Sequence, residues 1–262
     1  MRFQTPLLPG RLIRRYKRFL ADVKLDDGRE VIAHCANPGA MIGLKDPGLR
    51  VWLEPNDDPK KKLKFSWRIA QLKNKAWVGI DTGMPNRLVK EALFSKSIPE
   101  FAAYATIQPE QKYGKDSRVD FLLTHTDHCN TYIEVKNVHL WRGDDWAEFP
   151  DTVTARGLKH LGVLGDMAEA GHRAVLLYCV QHTGCARFRL AADLDPAYAD
   201  ACALASKRGV EMLCFSCNIS PYAITLGRAM PIFSTTLNSS LIFSASLWPR
   251  FAACSIRRRD LY

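Results

Sequence analysis

The chain has 262 residues, 47% hydrophobic and 24% charged, enough for one large or two modest globular domains and too apolar for a disordered chain. No apolar run reaches the roughly 18–20 residues of a membrane helix, and the first ten residues lack the apolar centre of a secretion signal, so a cytoplasmic protein is expected. The net charge of +10 is uneven: residues 1–84 hold 17 Lys+Arg against 9 Asp+Glu (+8), residues 85–233 hold 16 against 17 (−1), and residues 234–262 hold 4 against 1 (+3). A front third with that excess attracts polyanions by long-range steering and counterion release. No basic amphipathic helix offers itself to a membrane surface, which leaves nucleic acid as the expected partner.

From residue 11 to 84 the pattern is one of short strands. Arg11–Ile13 and Phe19–Leu25 lead into Asp26-Asp27-Gly28, a hairpin signal, and Arg29–Ala36 returns. Asn37-Pro38-Gly39 is a turn. Arg50–Leu53 is a strand, Pro55–Lys62 a polar loop, and Phe65–Leu72 with Ala76–Ile80 a second hairpin. Basic and aromatic residues interleave through these strands, which suggests a small OB-type barrel over residues 1–84.

Beyond Pro85 the rhythm changes. Asn86–Lys96 has helical spacing; Tyr104–Tyr113, Arg118–Leu123 and Thr131–Val138 read as strands. A helix from about Thr154 to Ala170 is stopped by Gly171, and Arg173–Gln181 is an apolar strand. Asp195-Pro196 opens a helix that Gly209 ends, and Val210–Phe215 is another buried strand. The order implies a mixed α/β domain over residues 85–233. After Phe233 the composition shifts to Ser, Thr and Asn, so residues 234–262 are expected to form a flexible extension.

One constellation carries chemistry. In strands, Arg118, Asp120 and Leu122 share one face, and Glu134 shares a face with Lys136. The polar segment Thr124–Asn130 suits a hairpin, and antiparallel pairing brings Asp120 towards Glu134 and Lys136. Two carboxylates are hard oxygen ligands for Mg²⁺ or Mn²⁺, and the ion can neutralise a phosphodiester and activate water. Lys136 could orient that water or stabilise charge on the phosphate, and Glu91, on the preceding helix, could be a further ligand or outer acid. Such a pattern belongs to metal-dependent nucleases; a Glu-x-Lys can equally be a cross-strand charge pair.

The longer motifs Arg11–Asp22, Asn37-Pro38-Gly39-Ala40-Met41, Asn86-Arg87-Leu88, Ser117–Leu122, Tyr132–Val138 and Phe149–Leu161 closely resemble the SfsA family, the bacterial sugar fermentation stimulation proteins. The resemblance covers about residues 5–233. It implies an OB-like amino-terminal domain and a carboxy-terminal domain resembling PD-(D/E)xK nucleases, an α+β chain of mixed α/β character. It also implies sequence-nonspecific DNA binding and a role in regulating sugar, notably maltose, metabolism. One departure is that Gly162 follows Leu161 where the family often has an acid.

Further candidates follow. Arg156 and His160 lie one helical turn apart, with Lys159 beside them, and in the nuclease reading they face phosphates with Arg118. Arg14, Arg15, Lys17 and Arg18, with Tyr16 and Phe19, could grip a DNA backbone and stack bases. Lys60, Lys61 and Lys62 form the densest basic run. Trp67 and Trp77 suit a core better than a stacking platform, and His125 and His128 an exposed turn. Cys214-x-x-Cys217 lacks a second pair at zinc spacing, and the eight cysteines read as reduced thiols.

Overall fold

The computed structural model describes residues 1–113, 117–126 and 129–233, together with the backbone of Ile242–Phe243. Six strands open the chain: β1 (Leu8–Tyr16), β2 (Leu20–Leu25), β3 (Glu30–His34), β4 (Arg50–Pro55), β5 (Phe65–Gln71) and β6 (Trp77–Gly79). They form one sheet in the order β3-β2-β1-β4-β5-β6, and pairing of Ala33 and His34 with Phe65 and Ser66 closes the first five into a barrel. Its interior is apolar, with Leu12, Val23, Leu53 and Trp67 almost fully buried. Alternation places those residues inward and Arg11 and Lys24 outward, and a register shift between Leu12 and Arg14 turns Arg14 outward as well. Trp77 is half-buried and packs at 4.6 Å on Trp52.

Helix α1 (Met84–Phe94) follows, with Pro85 in its first turn, where a missing N–H costs nothing. Then come β7 (Thr106–Tyr113), β8 (Ser117–Thr124), β9 (Thr131–Val138), β10 (Trp146–Phe149), α2 (Ala155–Glu169) and β11 (Arg173–Val180). The remainder comprises β12 (Arg187–Leu190), α3 (Pro196–Lys207), β13 (Glu211–Ile219), β14 (Ile224–Ala229), β15 (Ile232–Phe233) and β16 (Ile242–Phe243). The large sheet runs β14-β13-β11-β9-β8-β7, parallel across β9, β11 and β13 and antiparallel at both edges. Residues of α1 and the barrel pack on one of its faces, residues of α2 and α3 on the other. Both faces being covered, β11 is buried almost throughout, which is why it reads as a continuous apolar run.

The fold class expected from the sequence, an OB barrel followed by a mixed α/β domain, is the one observed. A second small sheet, β10-β12-β15-β16, was not anticipated. Its first two strands pair in parallel, Trp146 opposite Arg187, from segments some forty residues apart, and Arg187 and Arg189 both lie over the Trp146 ring. No local periodicity announces such a pairing. Of the expected extension over 234–262, only the backbone of Ile242–Phe243, paired with β15, is among the described residues. Among the described residues no helix is long and apolar enough to cross a membrane, and the seven described cysteines are free.

The two domains share one apolar cluster, which Trp52 and Ile69 join from the barrel, and meet through polar contacts as well. The Gln181 side-chain amide donates to the Asp81 carbonyl and to Asn137 Oδ1, at 3.1 and 2.7 Å, while the Gly79 N–H donates to the Gln181 carbonyl. Asn37 is fully buried and donates to the Ile80 carbonyl. Two glycines are required here. A Cβ on Gly79 would collide with the Gln181 side chain, and one on Gly39 would stand 2.6 Å from Asp151 Oδ2. The Asn-Pro-Gly and Pro-Asp motifs, far apart in sequence, thus serve one seam.

Candidate active site

Strands β8 and β9 pair at Leu123–Thr131, Leu122–Tyr132 and Phe121–Ile133, and the ladder ends there. Asp120 takes over: its Oδ2 accepts the Val135 N–H at 2.7 Å, and its Oδ1 accepts from Asn86 Nδ2 of α1 at 2.6 Å. The splayed strands leave room for side chains that a flat ladder would exclude. Glu134 Oε1 accepts from Lys136 Nζ at 2.7 Å and contacts His160 Nδ1 of α2. The guanidinium Nε of Arg156 stands 3.3 Å from His160 Nε2. With Nε2 accepting, the imidazole proton sits on Nδ1 and points at Glu134.

That face of the hairpin is covered. Because α2 covers that side of the sheet, Glu134 is only 3% exposed and the Lys136 side chain 12%. Burial strengthens every charge effect. It pushes the Asp120 carboxyl up, and the neighbouring Glu134 charge pushes it further, to about 6. For Glu134 burial acts upward too, but the His160 bond and the Lys136 charge outweigh it and hold the carboxyl below its usual range. Among the described residues, Glu134 Oε2 nevertheless has no hydrogen-bond partner, and neither has the buried hydroxyl of Tyr113. The Tyr113 ring stacks on Tyr132 at 6.0 Å, and burial together with the Glu134 and Asp120 charges raises its hydroxyl's pKa. Two acids, one lysine, and a bare carboxylate oxygen make a site short of positive charge.

Those donors fit a hard divalent cation. Among the described residues no group of three or more His, Cys, Asp or Glu stands ready to hold a metal, but ions of the Mg²⁺ class keep several waters and need only one or two carboxylates. Asp120 and Glu134 supply these.

Other expected site residues lie elsewhere. Glu91 does not join the cluster: its carboxylate pairs with the amino-terminal ammonium at 2.7 Å and is 57% exposed. Asn86, five residues earlier on α1, is the one that reaches Asp120. His160 is buried against Glu134 rather than turned to solvent, so it orients an acid instead of meeting phosphate. Arg15 is half-buried and donates to the Asn37 and Gly39 carbonyls, at 2.7 and 3.2 Å, bracing the seam turn. Arg14 is exposed, paired with Asp22 and laid over Tyr16; Lys17 and Arg18 form the exposed turn between β1 and β2 with positive φ. Lys60, Lys61, Lys62, Arg118, Arg156 and Lys159 are exposed. His125, expected in solvent, is half-buried against Thr131 Oγ1, and His128 lies outside the described residues.

A family model described as the sugar fermentation stimulation protein RE domain matches residues 83–223, and one described as the SfsA N-terminal OB domain matches residues 13–80. This chain belongs to the SfsA family. The sugar fermentation stimulation protein homolog of Dinoroseobacter shibae is 61% identical over 233 residues, covering 88% of this chain and 96% of that one. The homolog of Ruegeria pomeroyi is 59% identical over 226 residues, covering 86% and 98%. A solved structure, that of Pyrococcus furiosus SfsA in complex with Ca²⁺, matches with a TM-score of 0.77 at 23% identity, over 88% of this chain and 97% of that one. That likeness establishes the SfsA fold for this chain.

Proposed function

We propose that this SfsA-family chain is a sequence-nonspecific, cytoplasmic DNA-binding protein whose second domain is a Mg²⁺- or Mn²⁺-dependent phosphodiesterase centre of the PD-(D/E)xK kind. The observation that carries it is the buried pair Asp120 and Glu134 on neighbouring strands, with Lys136 on Glu134 and one Glu134 oxygen left bare. Asp120 and Glu134 would hold the ion, which supplies charge neutralisation at the phosphate and a more acidic water. The Ca²⁺ bound by the Pyrococcus furiosus relative accords with a site for a hard divalent ion.

The chain's own groups do the rest. Asn86 and the Val135 N–H fix the Asp120 carboxylate from two sides. His160, oriented by Arg156, holds Glu134 and leaves Lys136 with two donor hydrogens for water or a phosphate oxygen. The exposed cations Arg14, Lys17, Arg18 and Lys60–Lys62 line the barrel surface for backbone contacts, and Arg118, Arg156 and Lys159 do so near the acids. An influence on sugar use, maltose included, would then follow from DNA binding.

A second reading is favoured by one contact. Glu134 Oε1 is already occupied by Lys136 and His160, as in a site that keeps the fold for recognition alone. The test is incubation of the purified protein with plasmid and single-stranded DNA, with Mg²⁺, with Mn²⁺ and with neither. Metal-dependent cleavage that Asp120→Ala or Lys136→Ala lowers at least about 100-fold is the expected result. Tight, salt-sensitive binding with no cleavage under either metal would leave the non-catalytic regulator.

A further inference from the structure

At the seam between the domains, the carboxyl ends of β9 and β11 meet the barrel around a cavity of about 240 Å³. Ile42, Leu44 and Leu72 give it apolar walls from the barrel side; Trp141, Arg142 and His182 line it from the other. Trp141 is half-buried and its ring lies over that of His182, with centroids 5.6 Å apart. His182 is 1% exposed. Its Nδ1 accepts the Gly184 N–H at 3.0 Å and meets the Cys185 thiol at 3.2 Å, so the ring proton sits on Nε2, which has no partner among the described residues. A buried N–H donor without an acceptor, in a ring that lines a cavity, is a vacancy for one hydrogen-bond acceptor.

The chemistry of the lining narrows the ligand. No carboxylate lines the cavity, so a cation has no counter-charge there. Arg142 is already taken by Glu148 and Asp193, His139 Nε2 has the Asp151 carboxylate 3.5 Å away, and burial holds His182 down to about 4, neutral at physiological pH, so an anion finds no free positive charge either. A sugar ring would need polar partners around its whole rim, and the polar atoms of the lining without a hydrogen bond among the described residues are two ring nitrogens, His182 Nε2 and His139 Nε2. What remains is a neutral, flat group with an acceptor on its edge. His139, which also lines the cavity, is three residues beyond Lys136, roughly 10 Å along the chain at about 3.3 Å per residue.

The geometry points to this seam cavity as the site for one unpaired nucleobase of a nucleic acid whose backbone lies at Asp120, Glu134 and Lys136. The inference rests on the DNA-binding reading above. It makes single strands, and duplexes with frayed or extruded bases, the preferred substrate class. The base stacks with the Trp141 side of the cavity and accepts from His182 Nε2.

The test uses the full chain without added metal and three probes: a single-stranded oligonucleotide with a fluorescent adenine analogue at one position, the same strand abasic there, and the matched duplex. The expected outcome is a change of the analogue's fluorescence on binding and weaker binding of the abasic strand by about fivefold or more, the lower end for one stacked base. Trp141→Ala should abolish that difference while duplex binding stays unchanged. His182→Phe, which keeps a ring and removes the donor, should also narrow it, with a thermal melt confirming that the variant is folded. Binding of all three probes with no abasic penalty, or a penalty that Trp141→Ala leaves intact, overturns the cavity assignment and spares the DNA reading. Binding of none overturns both.

Discussion

Two glutamates are buried almost equally and treated oppositely. Glu148 of β10 is 2% exposed; Arg142 grips both its oxygens, at 2.6 and 2.8 Å, and Arg189 adds a third contact at 2.9 Å. Burial pushes its carboxyl up, but the two guanidinium groups more than offset this and hold it below its usual range. Glu134, 3% exposed, has a lysine and an imidazole on one oxygen, nothing on the other, and a second acid beside it. The first is a finished structural charge. The second leaves one oxygen bare and bears on Asp120, whose carboxyl burial and the Glu134 charge push up to about 6: there a buried charge costs stability unless something else completes it. Burial alone therefore does not mark a functional acid; the unmet electrostatic demand does.

Three measurements would break or sharpen that contrast. The largest effect is expected from Arg189→Met, which strips a charged hydrogen bond from Glu148: unfolding free energy in urea should fall by about 2 kcal/mol, while metal-dependent cleavage per folded molecule is unchanged. Lost cleavage at full stability would erase the distinction. Next comes Asp120→Asn. Its folded-state pKa of about 6 lies above the ordinary value, so the folded protein binds that proton more tightly than the unfolded chain does. The cost of the site is absent below about pH 4 and grows as pH rises through 6. The variant should accordingly gain roughly 1–2 kcal/mol near pH 7, and that gain should vanish below about pH 4. A gain that persists in acid would point to packing instead. The smallest effect is metal stabilisation: Mn²⁺ at about ten times its Kd should add about 1.4 kcal/mol to the wild type above pH 6 and little to Asp120→Asn. Equal shifts in both would place the ion elsewhere.

The strands that carry the site were legible because alternation is local. Tyr132–Lys136 declares Glu134 and Lys136 as same-face residues, and Thr154 and Gly171 bracket α2 as a cap and a stop. What alternation could not tell is which faces water. The covering helix decided that, burying the Glu134–Lys136 pair and taking His160 inward with it. Glu91 was misplaced for a related reason: helical spacing says which residues share a stripe, not which stripe meets the acids. The better signal was Asn86, already inside a family motif and one helical face away. Tyr113 reads in sequence as an ordinary strand-end aromatic; its interest is a hydroxyl without a partner, which only three dimensions reveal. Arg15 looked like its basic neighbours, and its two carbonyl partners come from a turn more than twenty residues away.

The amides at the seam fix more than adhesion. Gln181 and Asn137 from the sheet meet Asp81 and Gly79 from the end of the barrel, and Met41 N–H reaches Asp151 at 3.4 Å. These bonds form only with the two halves docked, around a Gln181 that is fully buried. The chain is in this sense a caliper with its jaws fused: the span from the basic barrel surface to the acids is a dimension set at folding, which under the proposed function a DNA would have to match rather than close.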